Sequence, residues 1–179
     1  ILSVCGFVAC LTLNLQAAPK LAAVFGDQMV LQQGRAVSIW GWGEAGGQIR
    51  VGFAGQEQKT EAGDDGGWSV TMDPLEASFE ERDLVVEGDS EKVTLARVLV
   101  GEVWLCSGQS NMGMRVLGVR DAEEEIASAR FPRIRMLTVT ARASNLRQEE
   151  GRTDGWQVCS PETVGRFSAT AYFFGRNIH

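Results

Sequence analysis

Residues 98–112 read Val-Leu-Val-Gly-Glu-Val-Trp-Leu-Cys-Ser-Gly-Gln-Ser-Asn-Met, and the hydrophobic pattern of the chain changes at this stretch. Val98 to Cys106 is mostly apolar, which is typical of a strand buried on both faces of a parallel sheet. A polar, glycine-containing turn follows directly, from Ser107 to Asn111. The stretch therefore predicts the first strand of an α/β layer with a turn at its carboxyl end.

Before this stretch, apolar and polar residues alternate in short segments that are separated by turn signals such as Asp64-Asp65-Gly66-Gly67. A period of two indicates strands with one buried face. Short strands at roughly ten-residue spacing predict an antiparallel β-sandwich over residues 19–98. The predicted strands are Gln28–Gln32, Ala36–Trp42, Gln48–Phe53, Gln56–Glu61, Trp68–Met72, Asp83–Glu87 and Lys92–Val98.

After residue 112, the sequence predicts helices that alternate with strands. The expected elements are a helix over Asp121–Arg130, a strand over Arg133–Thr140, a polar loop over Ala141–Gly155 and a helix over Ser168–Ile178. Asp121 and Ser168 are the expected N-caps, and Pro132 is expected to end the first helix. This order is the beginning of an α/β layer fold, so residues 99–179 are predicted to start a second domain. We expect the natural chain to continue past residue 179, because the last helix meets no stop signal.

Gly108-Gln109-Ser110-Asn111 is the candidate site. Ligands of open α/β sheets bind at the carboxyl ends of strands. A serine held there in a tight turn presents its hydroxyl as a nucleophile and its own N–H as an oxyanion donor. The stretch differs from the α/β-hydrolase elbow, since Met112 occupies the second glycine position. On the local pattern alone, a purely structural turn is the simpler interpretation.

The composition excludes several functions. The 179 residues carry 23 acidic and 17 basic side chains, a net charge of −6, whereas a nucleic-acid binder needs a basic surface. The chain has one histidine, His179, and no Cys or His spacing that suits zinc. We therefore expect no metal and no cofactor. The acidic residues Glu123–Glu125 and Asp64-Asp65 are interpreted as a helix first turn and a hairpin turn.

Residues 1–18 form an uncharged, mostly apolar segment that closes with Ala17-Ala18. This composition is typical of a secretory signal whose basic n-region is missing, so we expect residues before Ile1 in the natural protein. Asn14 and Gln16 leave the apolar run too short for a stable membrane span. We predict export to the periplasm or the cell exterior, with a lipid anchor at Cys5 or Cys10 as an alternative.

Val103 to Met112 resembles the nucleophile block of the sialate O-acetylesterase family, a branch of the SGNH hydrolases. The resemblance extends over nearly all of Lys20–His179, through Val24–Gln32, Ile39–Trp42, Trp156–Thr163, Phe167–Ala169 and Ala171–Arg176. It implies that the second domain is the truncated start of an SGNH-type α/β/α domain. It also implies that Ser110 attacks an acetyl ester and supplies one oxyanion N–H.

The resemblance implies an esterase that acts on O-acetylated sialic acid, with Gly108, Gln109 and Asn111 in contact with substrate. The Asp and His that complete the family's triad have no counterpart here, and they are expected beyond residue 179. His179 matches a helix position of the family pattern. Where the family carries an acidic residue and an aromatic after Met112, this chain has Gly113-Met114, which puts that part of the pocket in doubt.

Two alternatives to this function stay open. Related sequences that share the Gly-Gln-Ser-Asn block include acetyl esterases of plant or other polysaccharides. The second alternative is not an enzyme: it is a non-catalytic carbohydrate-binding or structural β-module.

Several side chains also carry two interpretations. Gln109 and Asn111 either hydrogen-bond the substrate or the oxyanion, or they brace the turn. Cys106 is expected as a buried thiol, with a disulfide to Cys159 as the alternative that export would permit. Trp40 and Trp42 share one strand face and are expected to pack against the core or the next domain, with a sugar platform as the alternative.

Overall fold

Two sheets carry the first half of the chain. The computed structural model describes residues 18–140, 144–146, 148 and 150–179, so the predicted signal segment lies almost wholly outside the described residues. The strands of this half are β1 Lys20–Leu21, β2 Val30–Gln32, β3 Val37–Trp42, β4 Gln48–Phe53, β5 Gln56–Glu61, β6 Gly67–Met72, β7 Ser78–Glu87 and β8 Lys92–Gly101. One sheet has the strand order β1-β3-β6, and the other has the order β2-β8-β7-β4-β5.

One hydrophobic core joins the two sheets. Strand alternation places every second side chain of β4 and β6 inward, as the period of two predicts. These inward residues are at most 6% exposed and are Ile49, Val51, Phe53, Trp68, Val70 and Met72. β3, β7 and β8 add Ile39, Leu84, Val86, Val98 and Val100 to the same cluster. The prediction of a mostly β first half with these inward faces is confirmed.

The two sheets were expected to be wholly antiparallel, but one pair of strands is parallel. β2 lies parallel to β8, with Val30 opposite Leu99 and Gln32 opposite Gly101. Asp27 and Gln28, which precede β2, explain how this parallel pair forms. Asp27 accepts the Ala96 N–H on a side-chain oxygen at 2.8 Å, and the Gln28 N–H donates to the Ala96 carbonyl at 2.8 Å. These two hydrogen bonds hold the segment before β2 against β8.

The prediction of a buried parallel-sheet strand over Val98–Cys106 holds for residues 98–101, which include the buried Val98, Leu99 and Val100 and pair parallel with β2 from Leu99 on, and is wrong for residues 102–106. Residues 98–101 belong to β8, which crosses the predicted boundary at residue 98 and ends at Gly101. Beyond it, Trp104 is 58% and Leu105 is 93% exposed. The partner strand β2 ends at Gln32 opposite Gly101, and the Gln32 side-chain oxygen then takes the Val103 N–H at 2.8 Å. The backbone therefore leaves the ladder where its neighbour ends.

The second half begins with short elements. α1 spans Ala122–Ser128 and stops two residues before the predicted end. Asp121 takes a left-handed conformation at φ 58° and its side chain makes no capping hydrogen bond, so the predicted cap is wrong. Pro132 lies inside β9, Phe131–Met136, rather than ending the helix. Residues 137–138 separate β9 from β10, Val139–Thr140, so the predicted strand over Arg133–Thr140 is divided.

The remaining strands of this half pair antiparallel, whereas an α/β layer predicts parallel neighbours. β11, Arg152–Thr153, pairs with β10, and β12, Gln157–Cys159, pairs with β9. β11 lies within the stretch that had been predicted as a loop, part of which is outside the described residues. α2 spans Ala169–Ile178, and the Ser168 hydroxyl accepts the Ala171 N–H as predicted. No helix in the described part of the chain is long and apolar enough to cross a membrane.

Direct contacts connect the two halves. The Trp156 indole N–H donates to the Val24 carbonyl at 2.7 Å, and the Thr153 hydroxyl donates to the Ala23 carbonyl at 3.0 Å. The Arg135 side chain is 2% exposed and its guanidinium lies 2.6 Å from the Glu81 carboxylate on β7. These contacts fix the second half against the first.

Candidate functional site

Ser110 begins a short 3₁₀ turn over Ser110–Gly113. The residues from Glu102 to Ser110 are all exposed, and they separate the turn from the end of β8 at Gly101. The expectation that the turn lies directly at the carboxyl end of a buried strand is therefore wrong. The serine is nevertheless presented to solvent, as a nucleophile must be.

Main-chain hydrogen bonds close the turn around Ser110. The Met112 N–H donates to the Gln109 carbonyl at 2.9 Å, and the Met114 N–H donates to the Asn111 carbonyl at 3.3 Å. Gly108 lies just before the turn, and a Cβ at this position would lie 2.8 Å from Cγ of Met112, so any larger residue would force the Met112 side chain to move. Among the described residues, no backbone carbonyl accepts the Ser110 N–H. That N–H is available as an oxyanion donor.

The first turn of α2 supports this turn from the other side. The Thr170 hydroxyl donates to the Asn111 carbonyl at 3.2 Å. The Ala169 N–H donates to the Met114 carbonyl at 2.8 Å, and the Val116 N–H donates to the Phe167 carbonyl at 3.1 Å. Thr170 is a residue that sequence reasoning missed, because nothing in its local pattern shows that the two segments meet.

The side chains of Gln109 and Asn111 do not brace the turn. The hydrogen bonds that hold the turn come from main-chain groups and from Thr170, and neither side-chain amide has a protein partner within the described part of the chain. Asn111 is exposed beside Ser110. Both amides are therefore available for hydrogen bonds with a ligand.

His179 lies too far from Ser110 to act as its base. Thr170 contacts the turn, and His179 follows nine residues later at the other end of α2. A rise of 1.5 Å per residue separates these ends by about 14 Å, whereas a base must lie within about 3 Å of the hydroxyl. The His179 ring instead stands edge-on to Phe131, with centroids 6.5 Å apart.

A partly buried polar cluster links α1 to α2. The Glu125 carboxylate accepts the Tyr172 hydroxyl at 2.7 Å and also pairs with the Arg176 guanidinium. Burial, together with the hydrogen bond to Glu125, raises the pKa of Tyr172 to about 12. Sequence analysis interpreted Glu123–Glu125 only as a helix first turn, because the partner residues lie 47 and 51 positions later.

The cysteines do not follow the expected pattern. Cys106 and Cys159 are both free thiols, and Cys106 is exposed while Cys159 is buried. The expectation of a buried Cys106 is wrong because β8 ends before it. Burial raises the pKa of the Cys159 thiol to about 11.

Trp40 and Trp42 each contact a side chain from the segment before β2, Phe25 and Lys20 respectively. Trp40 lies edge-on to Phe25 with centroids 4.7 Å apart and remains 38% exposed. The Lys20 ammonium lies over the Trp42 ring at 5.3 Å. Packing against neighbouring residues is thus seen for both rings.

Within the described residues, no group of three acidic, Cys or His side chains is arranged to hold a metal ion.

Comparisons with known proteins agree on one family of relatives. The chain is 30% identical over 178 residues to the sialate O-acetylesterase of Rattus norvegicus and 31% identical over 186 residues to that of Homo sapiens. Each alignment covers 89% of this chain, and the chain spans about a third of the length of these relatives (33% and 34%). No protein-family profile matches the chain.

A solved structure shares the fold. The crystal structure of a carbohydrate acetylesterase from Xanthomonas citri superimposes with a TM-score of 0.86 at 30% sequence identity. The match covers 90% of this chain and 37% of the other. The two proteins are therefore similar in amino-acid sequence as well as in fold.

Proposed function

The chain belongs to the sialate O-acetylesterase family, and from this premise we propose that it is part of an exported serine esterase that removes O-acetyl groups from sugars. The observation that carries the proposal is the exposed Ser110 in a turn whose neighbouring amides and N–H are unused by the protein. The relatives are acetylesterases, which supports acyl transfer over other serine chemistry.

The proposed reaction proceeds through an acetyl-enzyme. The Ser110 hydroxyl oxygen attacks the acetyl carbonyl carbon while a base removes the hydroxyl proton. The Ser110 N–H stabilises the negative oxygen of the tetrahedral intermediate, and collapse of this intermediate releases the sugar hydroxyl, which takes up the proton. Water then cleaves the acetyl-enzyme by the same steps. Gly108 permits the turn, and Gln109 and Asn111 hydrogen-bond the substrate.

We propose that the base in this mechanism is supplied by a longer chain, since these residues span about a third of the length of the relatives. The chain has a single histidine, and it lies at the far end of α2 from the turn that holds Ser110. We therefore expect residues 1–179, expressed alone, to hydrolyse an acetyl ester no faster than the Ser110→Ala variant of the full-length protein does. Turnover comparable to that of the full-length enzyme would contradict this part of the proposal.

We propose that the two sheets form a β-sandwich domain and that the residues after β8 begin an SGNH-type α/β/α domain. The common core of the sheets supports the first assignment. The separate cluster of Val116, Met136, Cys159, Val164 and Tyr172 supports a second domain with its own core. Proteolysis of the full-length protein within the exposed residues 102–109 should release the β-domain intact.

O-acetylated sialic acid is the proposed substrate because the curated relatives are sialate O-acetylesterases. An esterase of other acetylated polysaccharides is the second candidate, and the similarity to a carbohydrate acetylesterase favours it. The two are separated by measuring kcat/KM of the full-length protein on O-acetylated sialic acid and on acetylated xylan. A higher value for xylan would replace the first candidate by the second.

The decisive test of catalysis is Ser110→Ala in the full-length protein, assayed by acetate release. We expect a loss of about 10³-fold or more, as for removal of other serine nucleophiles. Ser107→Ala is the matched control, because Ser107 is an exposed serine of the same segment, and we expect it to change the rate by less than threefold. Full activity of Ser110→Ala would refute the nucleophile and leave the non-catalytic β-module as the better interpretation.

A further inference from the structure

Resting on the proposed function, we propose that Thr170 is a positioning residue for Ser110. Its hydroxyl fixes the peptide group that follows Asn111, and this peptide group holds the turn that presents the serine. Thr170 has no contact with substrate in this role and acts only through the backbone of the turn.

The hydrogen bonds at Asn111 make this role possible. The Asn111 carbonyl accepts two hydrogen bonds, from the Thr170 hydroxyl at 3.2 Å and from the Met114 N–H at 3.3 Å. Both are long, so neither alone restrains the carbonyl tightly. The neighbouring Ala169 N–H holds the Met114 carbonyl at 2.8 Å. The first turn of α2 therefore holds this short segment at two points.

Thr170 is not needed for the helix that carries it. Ser168 caps α2 through the Ala171 N–H, and the Thr170 side chain is exposed at the second helical position. Its hydrogen bond reaches a residue 59 positions earlier in the chain. Threonine is a poorer helix former than alanine, so this tertiary contact is the physical reason for a hydroxyl at position 170. Branching at Cβ also restricts its rotamers, which keeps the hydroxyl directed at the carbonyl.

The consequence for Ser110 follows from the geometry of the turn. The peptide group between Asn111 and Met112 carries both the carbonyl that Thr170 holds and the N–H that closes the turn on the Gln109 carbonyl at 2.9 Å. Rotation of that peptide group would displace Ser110, which lies inside the closed turn. A misplacement of about 1 Å can cost 10²-fold in rate. Loss of the Thr170 hydroxyl should thus lower kcat more than it raises KM.

The experiment compares Thr170→Val, which removes the hydroxyl at nearly constant shape, with Thr170→Ser, which retains it. Both variants are made in the full-length protein and assayed on an acetyl ester together with the thermal midpoint. We expect Thr170→Val to lower kcat by about tenfold with KM changed by less than twofold. Thr170→Ser should stay within threefold of the parent kcat. An unaltered kcat in Thr170→Val, or an equal loss in both variants, would overturn the assignment.

A second measurement separates this inference from the proposed function. Absence of acetyl esterase activity in the parent protein would refute the function, and the role of Thr170 is then read from amide hydrogen exchange. Thr170→Val should accelerate exchange of the Met112 and Met114 amides at least fivefold, whereas Thr170→Ser should not. Unchanged exchange of both amides in Thr170→Val would overturn the positioning role whether or not the protein is an esterase.

Discussion

At the scale of single residues, Cys106 and Cys159 have opposite surroundings. Cys106 follows the end of β8 and is exposed, whereas Cys159 lies on β12 in the second core and is 1% exposed. Burial disfavours the thiolate, which is the reactive form of cysteine. The two thiols should therefore differ strongly in reactivity although both are free.

We expect iodoacetamide at pH 8 to modify Cys106 at least 100-fold faster than Cys159 in the folded protein. With a pKa of about 11, only about one Cys159 thiol in a thousand is ionised at pH 8. Peptide mass spectrometry gives the two rates separately, and unfolding in urea should remove the difference. Equal rates in the folded protein would contradict the buried position of Cys159.

The same burial predicts a loss of stability at alkaline pH. Cys159 and Tyr172 have raised pKa values of about 11 and about 12, so the folded state binds more protons than the unfolded state once the unfolded groups begin to ionise. The contribution of these two groups to the free energy of unfolding should therefore be constant from neutral pH to about pH 8.5 and fall progressively from there to about pH 12. Urea unfolding at intervals across this range measures it. In Cys159→Ala the fall below pH 10 should be smaller, and an identical profile would contradict the assignment to Cys159.

At the scale of secondary structure, Glu125 is the contact that joins α1 to α2. Its carboxylate accepts the Tyr172 hydroxyl and pairs with Arg176, and the Glu125 side chain is 19% exposed. α1 has only seven residues, too few for a stable isolated helix. The helix therefore depends on tertiary contacts, which are this one and the packing of Ile126 against the second core.

We expect Glu125→Ala to lower the free energy of unfolding of the full-length protein by about 1.5–3 kcal/mol, the range for hydrogen bonds to a charged group. Glu123→Ala is the matched control on the same helix, because the Glu123 side chain is exposed. Its effect should stay within about 0.5 kcal/mol. Urea denaturation measures both, and equal effects would show that the Glu125 contact contributes nothing specific.

At the scale of the whole molecule, Arg135 is the buried charge between the two halves. Its guanidinium pairs with Glu81 of β7, and its Nε and Nη1 have no hydrogen-bond partner among the described residues. The cost of burying this charge is therefore offset by one carboxylate from the other half of the chain. Loss of that carboxylate should loosen the contact between the halves.

We expect Glu81→Ala to destabilise the full-length protein by about 1.5–3 kcal/mol, since an unpaired buried guanidinium is left behind. Glu80→Ala is the control, because Glu80 is 69% exposed and pairs with Arg82, and it should cost no more than about 1 kcal/mol. Calorimetry gives the thermal midpoints. A larger effect for Glu80 than for Glu81 would contradict the interface role of Arg135.

Much of the first half was predictable because its information is local. The alternation of Gln48–Phe53 and Trp68–Met72 specifies which side chains face inward, and the glycine-rich turns separate the strands. The Ser168 cap of α2 was predictable for the same reason. Pairing was less accessible, since the parallel contact of β2 with β8 depends on Asp27 reaching a backbone group 69 residues later.

By itself, the sequence determined the strand faces, the absence of a second histidine and the Gly-Gln-Ser-Asn segment with its exposed serine. These follow from residue type and spacing. The tertiary structure alone decided that β8 ends at Gly101, that Thr170 holds the Asn111 carbonyl and that Glu125 and Arg135 have their partners in distant segments. Such contacts join residues far apart in the chain, and neither partner's local pattern depends on the other.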